Sequence, residues 1–226
     1  MSRRDIVGVI PAYQCTATVG AVVSGLRAVL AEVVVVDDGS TDATSAAAAS
    51  AGATVIRLAS NQGKGAALRA GIDRALASGP EALALLDADG QHDPRELPAL
   101  LAAWDARRPD LVIGSRLHDP ARFPRARYWT NYIGSRILSR MTGFELEDSQ
   151  SGYRLLAADL ARRLALCSCG YAIESEMLIK AARAGARLEH VPVRAIYNGA
   201  GSHYQPLRDT VRISCAAIYY KVFDAP

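Results

Sequence analysis

Residues 82–94 read ALALLDADGQHDP, an apolar run that ends abruptly in oxygen-bearing side chains. Asp87, Asp89 and Asp93 fall within seven residues, with Gln91 and His92 among them. Carboxylates crowded in this way repel one another, so the cluster calls for a positive partner. Asp87, Asp89 and Gln91 alternate, and in an extended backbone alternate side chains point to the same side. Short oxygen ligands on one side suit Mg²⁺ or Mn²⁺, which keeps several waters and completes its shell from substrate phosphates. The plainer alternative is a solvated strand end whose Asp residues cap turns. A second acidic pair, Asp37 and Asp38, stands in VVVVDDGS (33–40), again directly after an apolar run.

Several familiar motifs come close and fail. Counted from Asp87, a calcium-binding EF-hand loop needs Gly at its sixth place and Glu at its twelfth, where this chain has His92 and Pro98. Gly63-Lys64-Gly65 lacks the Ser or Thr that follows the lysine of a Walker loop. No G-x-G-x-x-G follows the first apolar run, which argues against a dinucleotide. The DxDGT signature of haloacid-dehalogenase-type phosphatases resembles DADG, but Gln91 replaces the threonine and the motif sits mid-chain.

The elements that must position these groups alternate. A buried-strand run at 6–13 and further strands at 33–40 (ending in carboxylates and a turn), 53–59, 82–86 and 110–116 are separated by helical patterns at 19–32, 43–51 and 66–78, and by one that starts at Pro94 and runs to about Ala106. This order predicts an α/β fold, a mostly parallel sheet sandwiched by helices. In such sheets ligands bind beyond the carboxyl ends of the strands. Both DDGS and DADG stand at those ends and should therefore share one crevice. Beyond Arg116 the pattern loosens. Residues 117–128 read as a basic, Pro-containing loop, 129–142 as a helix and 147–154 as a polar turn. Helices are expected near 156–166 and 174–185, a strand at 187–197, a Gly-rich turn at 198–203 and an amphipathic helix at 207–223.

Composition narrows the classes. In 226 residues, half hydrophobic and 22% charged, there is room for one sizeable core, and a net charge of +3 is too small to call for nucleic acid. Lys occurs only at 64, 180 and 221, so the cations are nearly all Arg, whose guanidinium fork suits phosphate. Cys15, Cys167, Cys169 and Cys215 show no paired zinc spacing and no disulfide framework, and read as reduced thiols. The apolar run near the start is too short for the core of a signal peptide, and no stretch approaches the ~20 apolar residues of a membrane span. The expectation is a cytoplasmic chain, soluble or resting on the inner face of the membrane.

Taken together, PAY (11–13), VVDDGS (35–40), NQGKGAALRAG (61–71), DADGQHDP (87–94), GSR (114–116), DSQSGYR (148–154) and ESE (174–176) resemble the inverting family-2 glycosyltransferases of GT-A fold, particularly polyprenyl- and dolichyl-phosphate mannose synthases. Each motif is weak alone; their order and spacing over positions 9 to 200 carry the resemblance. It implies a Rossmann-like GT-A domain over 1–206, with 1–116 binding the nucleotide sugar and 117–206 the acceptor. The amphipathic helix closes the chain at 207–226.

The resemblance further implies that Pro11, Ala12 and Tyr13 line the nucleotide site, and that Asp37 or Asp38 contacts base or ribose. Asp87, Ala88 and Asp89 form the DxD element. Asp87 and Asp89 hold ribose and the Mg²⁺ or Mn²⁺, Gln91 is a further ligand, and Lys64 is a phosphate contact. Arg116, Ser135 and Arg136 resemble positions that bind an acceptor phosphate, and Arg194 is a further candidate. Asp148 matches a position given to a catalytic base or an acceptor-orienting group. Glu174 and Glu176 would support the site without doing chemistry. Two departures stand out: Gln14-Cys15 where relatives often have Asn-Glu, and Ser202-His203 where mannose synthases tend to carry Ser-Lys, which makes His203 a candidate phosphate contact.

The acceptor decides which residues matter. A sugar hydroxyl needs a positioned base such as Asp148. A phosphate monoester, with a second pKa of ~6, is already anionic and needs cations to seat it. The basic loop, the nearby Arg residues and the terminal helix, which could also touch a membrane surface, fit the second demand. The expected activity is therefore transfer of a hexose from GDP-mannose- or UDP-glucose-type donors to a polyprenyl phosphate. Transfer to a hydroxyl in envelope polysaccharide or glycolipid is the alternative within the fold. A phosphatase and a non-catalytic nucleotide-sugar-binding subunit are the alternatives outside it.

Overall fold

Strands that read as unbroken apolar runs must be covered on both faces, and in the computed structural model, which describes residues 3–118 and 125–196, the central ones are, whereas Thr54–Arg57 at the sheet edge is only partly covered. Seven strands, β1 (Arg3–Ala12), β2 (Leu30–Asp37), β3 (Thr54–Arg57), β4 (Ala82–Leu85), β5 (Leu111–Ser115), β6 (Arg154–Ala157) and β7 (Leu188–Pro192), form one sheet in the order β3-β2-β1-β4-β6-β5-β7. Every pairing is parallel except those of β6, which runs antiparallel to both β4 and β5.

The period of two along each strand divides the core. Val7, Val9, Val34, Val36, Leu83 and Leu85 face one side, against α3 (Lys64–Leu76), α5 (Arg125–Thr142), α6 (Ala158–Arg163) and α7 (Ile173–Arg183). Ile6, Ile10, Val33, Val35, Ala82 and Ala84 face the other, against α1 (Val19–Arg27) and α4 (Leu97–Arg107), with α2 (Thr44–Ser50) beside α1 over β2 and β3. The four consecutive valines of β2 thus supply both layers, two to each.

The expected alternation holds as far as Arg116, with boundaries shifted by a few residues, most at the end of the first helix. The helix expected to run from 19 to 32 ends at Arg27, because Leu30 already pairs with Arg3 at the start of β2. Later differences are larger. Residues 147–154 and 156–166 were expected to be a turn followed by a helix, yet Arg154–Ala157 is a strand and α6 starts only at Ala158. A four-residue apolar run has no period of its own. Here the slot between β4 and β5 supplies backbone partners on both edges, with Arg154 opposite both Leu85 and Ile113. Helix α5 starts at Arg125, inside the segment read as a loop. The strand expected at 187–197 stops at Pro192, followed by an isolated bridge between Ala195 and His92. The Gly-rich turn at 198–203 and the helix at 207–223 lie outside the described residues.

Helix α3 lies so close over the sheet that a Cβ on Gly71 would sit 2.5 Å from the Val9 side chain and 3.1 Å from Val36. Ala is the better helix former, by ~1 kcal/mol. Overpacking of this kind costs ~1–3 kcal/mol. Gly71→Ala is therefore expected to lower the urea midpoint without changing the slope; a raised midpoint would mean that α3 does not bear on β1 in this way.

Candidate active site

The carboxyl ends of β2, β1 and β4 bring the acidic motifs together. Asp37 ends β2 opposite Ala12 of β1, and Asp87 follows β4 by two residues. Asp87 also lines a recess together with Pro11, Lys64, Gly152, Arg154 and Glu174. Ala12 is buried beside it, and Tyr13 is half-buried.

At the end of β2 both carboxylates hold loops. Asp37, fully buried, accepts from the Ser40 backbone N–H at 2.8 Å and from the Ser45 hydroxyl. Burial alone would push its pKa up, but these hydrogen bonds keep it below the ordinary value. Asp38 accepts from the backbone N–H groups of Gln62 at 2.7 Å and Gly63 at 2.8 Å, and so ties the loop before α3 to the strand end. Gln14, at a left-handed φ of 52°, donates its N–H to Ser40 Oγ at 2.9 Å.

The partner that the Asp87 cluster calls for is Lys64, the first residue of α3. Its ammonium lies 2.6 Å from Asp87 and 2.6 Å from Glu174 on α7. Burial disfavours the charges on both residues of the Lys64–Asp87 pair, yet their mutual attraction prevails, leaving the lysine pKa raised and that of Asp87 lowered. The loop at 167–169 fixes the start of α3. The Cys169 carbonyl accepts from Gly65 at 2.7 Å and Ala66 at 3.2 Å, and a Cβ on Gly65 would come within 2.3 Å of the Ser168 carbonyl oxygen. That loop is held in turn by Glu176, fully buried, which accepts from the N–H groups of Cys167 and Ser168, both at 2.8 Å, and pairs with Lys180 at 2.9 Å. On the other side of Asp87, a Cβ on Gly152 would lie 2.2 Å from Oδ2, so only glycine leaves room for the carboxylate.

Asp89 differs from Asp87. It accepts from the Gln91 N–H at 2.9 Å, and burial, followed by repulsion from Asp87, raises its pKa. Asp93 leaves the cluster altogether: it caps the 3-10 turn Pro94–Glu96, accepting from the Arg95 N–H at 2.9 Å. Among the described residues no three His, Cys, Asp or Glu side chains converge as a metal cage. Two carboxylates, one of them destabilised by the other, fit a hard divalent cation of the kind that draws its remaining ligands from substrate phosphate and water. The half-buried Gln91 stands close enough in sequence to add an amide oxygen.

A second ion pair lies past the end of β5. Arg116 donates from Nε to Asp148 Oδ2 at 2.7 Å and from a terminal nitrogen to Oδ1 at 3.1 Å, with both residues almost fully buried. Burial works against the Asp148 charge, but Arg116 outweighs it and holds the carboxyl below its ordinary range. Next to it, Ser135 of α5, also buried, shares a hydroxyl contact of 3.1 Å with Ser149 and accepts its N–H at 2.9 Å. Arg136 points outward on the same helix, so the two are not brought together. Arg194 is exposed, its backbone N–H bound to Glu96 at 2.9 Å. His203 lies outside the described residues.

Two residues inside recognised motifs went without a role in the sequence reading. Arg154 is buried and donates to the carbonyls of Ser149, Ser151 and Glu174 at 2.8, 2.9 and 3.1 Å, buckling the loop of Asp148 to α7. An arginine opening an apolar run was the available signal. His92 is buried edge-on to Tyr153 at 5.4 Å, and among the described residues neither of its ring nitrogens has a hydrogen-bond partner. Burial first, and then the Arg116 charge, pull its pKa down to about 3.

The family model described as Glycosyl transferase family 2 matches residues 9–164. An uncharacterised protein of Methanocaldococcus jannaschii is 32% identical over 98% of this chain and 92% of its own length. An undecaprenyl-phosphate mannosyltransferase of Micrococcus luteus is 34% identical over 87% of this chain and 85% of its own. Among solved structures, the glucosyl-3-phosphoglycerate synthase of Mycobacterium tuberculosis with Mn²⁺, UDP and glucosyl-3-phosphoglycerate superposes with a TM-score of 0.75, at 22% identity over 96% of this chain and 80% of its own. The sheet and its flanking helices are thus the GT-A fold.

Asp148→Asn would leave the Arg116 charge buried without its counter-ion, a loss of ~3–5 kcal/mol. A folded-state pKa below the unfolded ~3.9 means that the carboxylate's contribution is present above that value and lost as the pH falls through the folded one. The stability gap between wild type and variant should therefore be constant from about pH 5 to 8 and close only in stronger acid. A gap that changes near neutrality in chemical denaturation would refute the pairing.

Proposed function

This chain belongs to glycosyl transferase family 2, and from that premise we propose that it moves a hexose, with inversion, from a nucleotide diphosphate sugar to a polyprenyl phosphate. The observation that carries the choice of acceptor is the Arg116–Asp148 pair. A general base works best with a pKa near the working pH and a free oxygen. Asp148 has neither: both its oxygens accept from Arg116, and its pKa is held low. A phosphate acceptor brings its own negative oxygen and needs only to be seated. In this reading Asp148 is a positioning residue that holds Arg116 in one rotamer, and the guanidinium steers the incoming phosphate. The mannosyltransferase of Micrococcus luteus, named for undecaprenyl phosphate, supports the same class of acceptor.

On the donor side, Pro11, Ala12 and Tyr13 form the wall of the nucleotide site, and Asp37 and Asp38 hold the loops that border it. Asp89, Gln91 and Asp87 would hold Mg²⁺ or Mn²⁺, which when bound offsets the charge of the departing diphosphate. Lys64 keeps Asp87 ionised and oriented, and Glu174 keeps Lys64 in place. Residues 1–116 serve the donor in this account, and 117–206, with Arg116 at their border, serve the acceptor.

Turnover of GDP-mannose and UDP-glucose on a polyprenyl phosphate, with Mn²⁺ or Mg²⁺ and with a chelator, tests the proposal. Sugar transfer that the chelator abolishes is expected. Arg116→Lys, which keeps the charge but loses the fork, should lower turnover by about a hundredfold. An ascending pH limb near ~6 should belong to the acceptor phosphate and persist in Asp148→Asn. Transfer to sugar hydroxyls, with a limb that vanishes in Asp148→Asn, would make Asp148 the base and overturn the proposal.

A further inference from the structure

Helix α5 has two faces of opposite character. Inward, Asn131, Ser135 and Leu138 are buried, with Leu138 joining the core that α7 completes. Outward, Trp129, Tyr132, Ile133 and Ile137 are 58%, 40%, 53% and 46% exposed, and they are the large exposed hydrophobics among the described residues. Exposed apolar residues scattered singly mean little, but these four fall at i, i+3, i+4 and i+8 on one face. The face is ordered: the rings of Trp129 and Tyr132 meet edge-on at 5.9 Å, and Tyr128 stacks on Tyr132 at 6.1 Å. Arg125, Arg136 and Arg140 are exposed on the same face, and the helix contains no Asp or Glu.

We infer that this face of α5 rests on the surface of an anionic lipid bilayer. Its chemistry chooses among the occupants of an apolar face. A second copy of α5 would set one group of guanidinium ions against another. The chain's own segment 207–226 carries Arg208, Arg212 and Lys221 against Asp209 and Asp224, so it too is net positive and brings no complement. Lipid phosphates supply the missing negative charge, Trp and Tyr rings suit the headgroup level, and the isoleucines reach the acyl boundary. No described helix is long and apolar enough to cross a membrane, so the contact lies along the surface. The opposite side of α5 holds Ser149, next to Asp148. The Arg116–Asp148 corner then lies about one helix diameter from the lipid. Such a position suits a lipid-linked acceptor, but the inference does not require the sugar-transfer reading.

The test uses the full chain and vesicles free of polyprenyl phosphate and sugar nucleotide: phosphatidylcholine alone, or with about a third phosphatidylglycerol. Co-sedimentation with the anionic vesicles, weakened by salt, is expected. The double variant Trp129→Ser/Ile133→Ser should lower it about tenfold or more while melting like wild type. In the wild type, brominated lipid should quench Trp129 and spare Trp104, which is buried in the core. Equal binding to both vesicle types, undiminished binding of the variant, or unquenched Trp129 would each overturn the inference. Dimers that the variant dissociates, without vesicle binding, would assign the face to a second copy instead. Turnover on a water-soluble short-chain prenyl phosphate without vesicles separates the two ideas. If it is absent in both forms, the proposed reaction falls and the lipid surface stands.

Discussion

The arrangement after β4 depends on one half-buried ammonium. Lys64 lies between Asp87 at the end of β4 and Glu174 at the start of α7, 2.6 Å from each. Without it, the bend after β4 would gather carboxylates with no counter-charge, and burial would drive them to take up protons. With it, Asp87 remains ionised, and Asp89 becomes the carboxylate under strain. The two neighbouring acids are thereby set apart: Lys64 holds Asp87 ionised, while burial first and then repulsion from Asp87 raise the pKa of Asp89.

Much of the surrounding structure keeps that ammonium in place. Glu176 grips the loop at 167–169, the Cys169 carbonyl caps α3, and Asp38 draws in the residues that precede the helix. Gly65 and Gly152 leave the space on either side, the first for the loop backbone and the second for the Asp87 carboxylate. None of these groups needs to meet a substrate. They restrict Lys64 and Asp87 to one arrangement, so little ordering remains for a bound ligand to impose.

The Arg116–Asp148 pair follows the same logic past the end of β5, where the serine contact from α5 and the three carbonyls held by Arg154 fix the loop that carries Asp148. Because α5 supplies that serine from its inner face and exposes aromatic and guanidinium groups from its outer face, one helix joins the loop of the second ion pair to the surface of the molecule.

The sequence by itself determined the layered α/β architecture, because continuous apolar strands must be covered on both faces and their alternation with helices leaves few other folds. It also determined that DDGS and DADG would stand at the same end of the sheet, since parallel strands bring their carboxyl ends to one edge. Only the tertiary structure decided the rest. RLLA became a strand because an open slot offered hydrogen bonds on both sides, which four residues cannot announce. Asp93 turned away to cap a helix while Asp87 turned toward a lysine, though both belong to the same acidic run. Asp148, legible as a site residue, proved to be bound to Arg116. Ser135, read as a phosphate contact, faces inward to Ser149. The physical reason is common to these cases. A local pattern specifies which faces are buried, whereas the partner of a buried charge or hydroxyl comes from a distant segment, and its identity exists only once the chain has closed around it.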